Sequence, residues 1–148
     1  MKKIALLGVC CAAMSAAGCL GFERKSTVTG PSGGNPLVGS WTSAAAALPS
    51  PASCSDFKWN VTEQTGNSAA GTFSATCANN VRLAGRARGA LNGALVNWSA
   101  DGTATAADAL SCPFTLGGTA ELGSNSIRVP YEGEFCGVSV RGVETLRK

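Results

Sequence analysis

The chain has 148 residues, of which 14% are charged, carries a formal net charge of +3, and contains no histidine. So small a charge gives no electrostatic drive towards nucleic acid, and the missing imidazole excludes Ser-His-Asp and Cys-His catalysis as well as histidine ligation of a metal. The 19 glycines and the abundance of Ala, Ser and Thr suit short strands and tight turns better than a charged helical bundle.

The chain opens with Lys2 and Lys3, continues through an apolar stretch to about Ala17, and ends that stretch in small residues. Positive start, short apolar core and small-residue end are the layout of a secretory signal. The core is too short for a spanning helix, which needs about 20 mainly apolar residues. Ala16-Ala17-Gly18-Cys19 resembles the bacterial lipobox, with Ala16 where that pattern usually has Leu. The resemblance implies a signal peptide over residues 1–18, cleavage before Cys19, acylation of Cys19, and attachment to a membrane through acyl chains such as palmitate. Leu20, rather than Asp, follows Cys19, which resembles sorting to the outer membrane. Cleavage of residues 1–18, which carry Lys2 and Lys3, leaves 130 residues of formal charge +1, enough for one domain.

Residues 19–36 read as the lipidated terminus and a Gly/Ser/Pro tether with nothing to bury, on the order of 20 Å in coil span. A folded domain is expected over 37–148. Strands are expected over 37–42, 56–65, 71–77, 81–89, 95–99, 112–122, 127–135 and 138–146. The alternation is clearest where Phe57, Trp59 and Val61 oppose Lys58, Asn60 and Thr62. A helical turn is expected at 44–47, and a loose stretch at 101–111. Thr65-Gly66-Asn67, Asn92-Gly93 and Gly123-Ser124-Asn125 are turn signals. About eight strands joined by short turns predict an all-β fold. The favoured form is a small antiparallel up-and-down barrel, which removes exposed edges, with an open β-sandwich as the alternative.

Four cysteines lie in this domain: Cys54, Cys77, Cys112 and Cys136. An exported compartment permits disulfides. Cys54 and Cys77 bracket the turn at Thr65-Gly66 symmetrically, and Cys112 and Cys136 bracket the turn at Ser124, so these two pairings are expected. Parity conflicts in both hairpins: a register that sets Phe57 against Phe73 does not set Cys54 against Cys77. A bulge, or a cysteine just beyond the regular ladder, is therefore expected. Without a Cys-x-x-Cys spacing or a histidine, a zinc site is not expected, nor any other metal or cofactor.

Glu132 and Glu134 share a strand face but have no companion nucleophile, so no catalytic role is assigned to them and the domain is expected not to be an enzyme. Arg82, Arg86 and Arg88 share another face, a candidate for an anionic ligand or a simple solvated surface. Gly39-Ser40-Trp41 resembles the Gly-x-Trp opening of lipocalin- and avidin-like barrels, and the general plan is similar to small periplasmic inhibitor barrels directed at lysozyme or metalloproteases. That resemblance implies Trp41 as a plug at one barrel end under a late arginine, Arg141 or Arg147. Trp41, Trp59, Tyr131 and Arg141 are the candidate plug or ligand contacts. The expected function is a membrane-anchored, non-catalytic binding module for a small ligand or envelope component. The alternative is a protein-interaction module, such as an inhibitor or an envelope assembly subunit. A cavity inside the barrel would favour the former, and a filled barrel with a protruding loop the latter.

Overall fold

The computed structural model describes residues 34–45, 50–108 and 110–148. The signal peptide, Cys19, most of the tether and half of the helical turn expected at 44–47 lie outside the described residues. Eight strands follow in chain order: β1 (Gly39–Ser43), β2 (Cys54–Thr65), β3 (Ser68–Cys77), β4 (Val81–Asn92), β5 (Leu95–Thr105), β6 (Ser111–Leu122), β7 (Ser126–Phe135) and β8 (Val138–Arg147), with one 3-10 turn at Ala78–Asn80. Each strand pairs antiparallel with the next, and β8 returns to β1, so the sheet closes into a barrel rather than opening into a sandwich. Closure leaves no long unpaired edge.

Alternation decides which side chains go inside. Phe57, Trp59 and Val61 of β2, Leu83 and Ala87 of β4, and Val129, Tyr131 and Phe135 of β7 are buried, while their polar neighbours face water. This polarity is the inverse of a membrane-spanning barrel, whose apolar band faces outward. Glycine completes the packing in the middle. Gly85 and Gly102 are direct cross-strand partners, flanked in the same row by Phe73 on β3 and Phe114 on β6. Both glycines stand at inward positions without a side chain, and the rings of Phe73 and Phe114 meet across the interior with centroids 6.0 Å apart. Aromatic rings covering strand glycines let the sheet bend sharply without leaving a void.

Both expected disulfides are present, Cys54–Cys77 and Cys112–Cys136. The parity conflicts are resolved in two different ways. In the β2–β3 hairpin Cys54 faces Cys77, but the register slips by one residue between Ser55 and Lys58 and again between Val61 and Glu63. Asp56 takes up the first slip with φ +51, in the left-handed region that Asp tolerates better than most residues. Trp59, not Phe57, thereby comes opposite Phe73, and Phe57 meets Phe73 edge-on at 5.3 Å. In the second hairpin Cys136 sits beyond the ladder with φ +49, followed by Gly137 at φ +75. Two positive φ values in a two-residue connection are what a type I′ turn requires.

Several expected boundaries are corrected: β2 begins two residues early at Cys54, β3 three residues early at Ser68, and β4 runs on to Asn92. The stretch expected to be loose at 101–111 is so only in part: β5 continues to Thr105, pairing with β4 as far as Arg82, and 106–110 form the connection to β6. Gly102 and Ala104 supply so little apolar volume that the alternation is hidden in the sequence, although Ala104 is fully buried. The first strand begins at Gly39, two residues late, because Leu37 and Val38 precede the ladder; Leu37 is nevertheless fully buried. In the β4–β5 hairpin Asn92 pairs with Leu95, so the turn is Gly93-Ala94 with Gly93 at φ +62, the position where type II′ turns place glycine.

Candidate functional site

The interior has no room for a ligand. The central void, lined by Trp59, Phe73, Trp98, Val129 and Leu146 among others, measures about 10 Å³. That is the bare threshold for one water molecule, and its walls are apolar, so they offer a water nothing to bond. Eight strands make a barrel just wide enough for side chains to fill.

Of the residues singled out in the sequence, three lie inside and one outside. Trp41 is 2% exposed, and its indole N–H donates to the Leu37 carbonyl at 2.7 Å. The cation over its ring is Lys148, with Nζ 5.1 Å from the centroid, and the same ammonium donates to the Pro36 carbonyl at 3.3 Å. Neither expected arginine takes that place: Arg141 is exposed on the outer face of β8 opposite Glu132, and Arg147 is exposed opposite Thr42 and Ser126. The reason is geometric. Side chains alternate along β8, and Leu146, one position before Arg147, takes the inward direction. Lys148 follows the last strand residue and is free to fold back. Trp59 is buried, and its Nε1 is the one buried side-chain polar atom without a partner among the described residues. Tyr131 uses its hydroxyl twice, accepting from the Cys54 N–H at 2.7 Å and donating to the Cys54 carbonyl at 2.8 Å. Burial pushes its phenol above the ordinary value, and it stays protonated. These bonds tie β7 to the start of β2 beside the first disulfide.

Sequence reading missed a polar clasp at the barrel seam. Only two ladder pairs join β1 to β8, Thr42 with Arg147 and Ser43 with Leu146. Next to them the Ser43 hydroxyl donates to the Glu144 carboxylate at 2.9 Å and accepts from the Phe57 N–H at 2.8 Å. Burial raises the Glu144 carboxyl above the usual carboxylate range, the Ser43 hydrogen bond opposes this, and the Asp56 charge adds to it. The signal was in the text: Val140, Gly142, Glu144 and Leu146 alternate, which places Glu144 on the inward side.

The open relief of the molecule lies on its outer wall. Two depressions of about 740 and 710 Å³ share Gly117, Glu132 and Arg141 across β6, β7 and β8. There the β6–β7 ladder is interrupted between Gly117/Glu132 and Glu121/Arg128. Pro130 lies in the gap, has no N–H to give, and turns its carbonyl to the Trp98 indole at 3.3 Å. Two further depressions, about 480 and 350 Å³, share Glu63, Ala70 and Arg88 across β2, β3 and β4. Among the described residues no three His, Cys, Asp or Glu side chains gather as metal ligands.

These features define a class: a closed, filled, eight-stranded up-and-down barrel with both disulfides at one end and its accessible relief outside. Beyond that class the comparisons add nothing, since no protein family, no characterised protein and no solved structure matches this chain.

Proposed function

We propose that this chain is an exported lipoprotein, anchored at the cell envelope through acylated Cys19 and sorted to the outer membrane, whose barrel is a non-catalytic module that binds an envelope component with its outer wall. The observation that carries the reading is the filled interior: a void of about 10 Å³ argues against the small ligand expected inside the barrel and leaves the outside for an envelope component or, as expected of a filled barrel, a protein partner. The lipobox-like run before Cys19 supports the anchor, and the disulfides supported by the fold suit an oxidising compartment. A protein partner at the disulfide-bearing end is the second reading. It is favoured by Leu110, 69% exposed, and Val138, 45% exposed, each two residues from a cysteine of the Cys112–Cys136 bridge.

Two measurements test the proposal. Cys19→Ser is expected to move the protein from the membrane pellet to the soluble exported fraction, because acyl chains contribute about 0.8 kcal/mol per buried methylene and are lost with the thiol. A variant that still pellets with residues 1–18 attached would contradict the anchor. Titration with apolar probes, such as a fluorescent fatty acid, is expected to leave the melting temperature unchanged. A saturable rise in melting temperature would put a ligand inside and overturn the outer-wall reading.

A further inference from the structure

We infer that the outer face of β4, with its flanks on β3 and β5, is a binding site for a linear anionic polysaccharide. The inference rests on the outer-wall reading above and names its ligand class.

Arg82, Arg86 and Arg88 all project outward from β4 and are exposed. At the rise of a strand, Arg86 and Arg88 stand about 7 Å apart and Arg82 about 13 Å further along. Among the described residues none of the three has a carboxylate within 4.0 Å, whereas Lys58 and Arg128 are each paired at 3.8 Å, with Asp56 and Glu121. Asp101 faces Arg86 in the ladder and Glu63 shares the groove of Arg88, so three guanidinium groups stand along one strand with a net excess of one positive charge over these two carboxylates.

Shape and chemistry agree with charge. The two depressions of about 480 and 350 Å³ meet at Arg88. Ala70 and Ala90 keep the floor low, while Thr72, Asn97 and Ser99 offer hydroxyl and amide groups at the rim. A row of guanidinium groups with hydroxyl-bearing neighbours recognises carboxylate or phosphate groups spaced along a hydroxyl-rich chain. Nucleic acid fits poorly: every aromatic side chain on the barrel strands is buried except for edges, leaving no platform for base stacking. A lipid surface fits poorly as well. Of the exposed large apolar residues, Leu110, Val138 and Val143 belong to other strands and loops, and Leu95 stands alone at the turn end of β5, so this face has no apolar cluster to insert among acyl chains.

The test uses the full-length chain purified in non-ionic detergent, with polygalacturonate as the probe and neutral dextran, a single-stranded oligodeoxynucleotide and phosphatidylglycerol vesicles in parallel. Polygalacturonate is expected to bind at low salt and to weaken as salt rises. Arg86→Gln combined with Arg88→Gln is expected to weaken it by about tenfold or more, the effect of losing two charge-assisted contacts. Arg128→Gln combined with Arg141→Gln removes the same charge elsewhere and is expected to change binding less than about twofold if the contacts are local. Circular dichroism checks that both variants fold. The inference is overturned by absence of polygalacturonate binding, by equal binding of dextran, by equal losses in the two double variants, or by tighter binding of oligonucleotide or vesicles. Such a failure leaves the outer-wall reading intact, because that reading stands on the apolar-probe titration.

Discussion

At one end of the barrel the chain reverses within two or three residues, at Gly66-Asn67, Gly93-Ala94 and 123–125, and side chains close the opening. Leu37 is fully buried there, its N–H bonded to the Gln64 side chain at 3.0 Å, and Trp41 lies behind it under Lys148. At the other end the connections at 44–53 and 106–110 are longer, and both disulfides, the Tyr131 bonds to Cys54 and the Ser43–Glu144 clasp are all found there. One end is held by an apolar plug formed from the two termini of the domain. The other is held by covalent bonds and buried polar contacts. A barrel built largely from Ala, Gly, Ser and Thr is thus shut in two ways: by a plug at one end, and by cross-links and polar contacts added to the buried Phe57, Phe114 and Phe135 at the other.

The largest effect is expected at the plugged end. Trp41→Ala removes a fully buried indole and its bond to Leu37, and core Trp→Ala substitutions typically cost about 3–5 kcal/mol. Urea titration followed by far-UV circular dichroism is expected to show a clear drop in midpoint, with the oxidised protein still folded at room temperature. An unchanged midpoint would mean that this end does not depend on its plug.

At the stapled end, replacing Cys54 and Cys77 together by Ala is expected to cost about 3 kcal/mol, since the bridge closes a sequence separation of 23. Thermal melts of the double variant check this. A loss no larger than that of Trp41→Ala keeps the order proposed here, while a larger loss would make the staples, not the plug, the dominant closure.

The smallest effect concerns the seam. Glu144 titrates higher in the folded state than in the unfolded chain, so the folded state prefers its protonated form. The stabilising contribution is present below the unfolded carboxylate value and is lost as pH rises through the raised folded value. Glu144→Gln is therefore expected to raise the melting temperature slightly at pH 7 and to flatten its fall between acid and neutral pH. Melts of both proteins across that range check this, and an unchanged slope would contradict the assignment to Glu144.

The two ends also differ in how far the sequence disclosed them. The stapled end was legible because cysteines placed symmetrically about turn signals constrain pairing through local geometry, and even the parity conflict pointed to a bulge. The plugged end was legible only in Trp41. Its partners Leu37 and Lys148 come from opposite ends of the domain, and contacts between chain termini leave no periodic trace. The tail of β5 was illegible for another reason: Gly102, Thr103 and Ala104 carry almost no hydropathy contrast, so only the pairing with β4 reveals a strand. Of the candidate site, Arg82, Arg86 and Arg88 were readable as one face by alternation. The groove beside them depends on Ala70 of a neighbouring strand, which only register brings near.

The central claim, a filled barrel that binds from its outer wall, is tested most directly by nuclear magnetic resonance titration of the labelled chain with polygalacturonate. All three tryptophans, Trp41, Trp59 and Trp98, are buried, so their indole N–H signals report on the interior. Amide shifts are expected to centre on Thr72, Arg86, Arg88 and Ser99, with the three indole signals unmoved. Shifts centred on the indole signals would contradict the filled barrel, whereas no shifts on β4 at all would overturn the polysaccharide site alone.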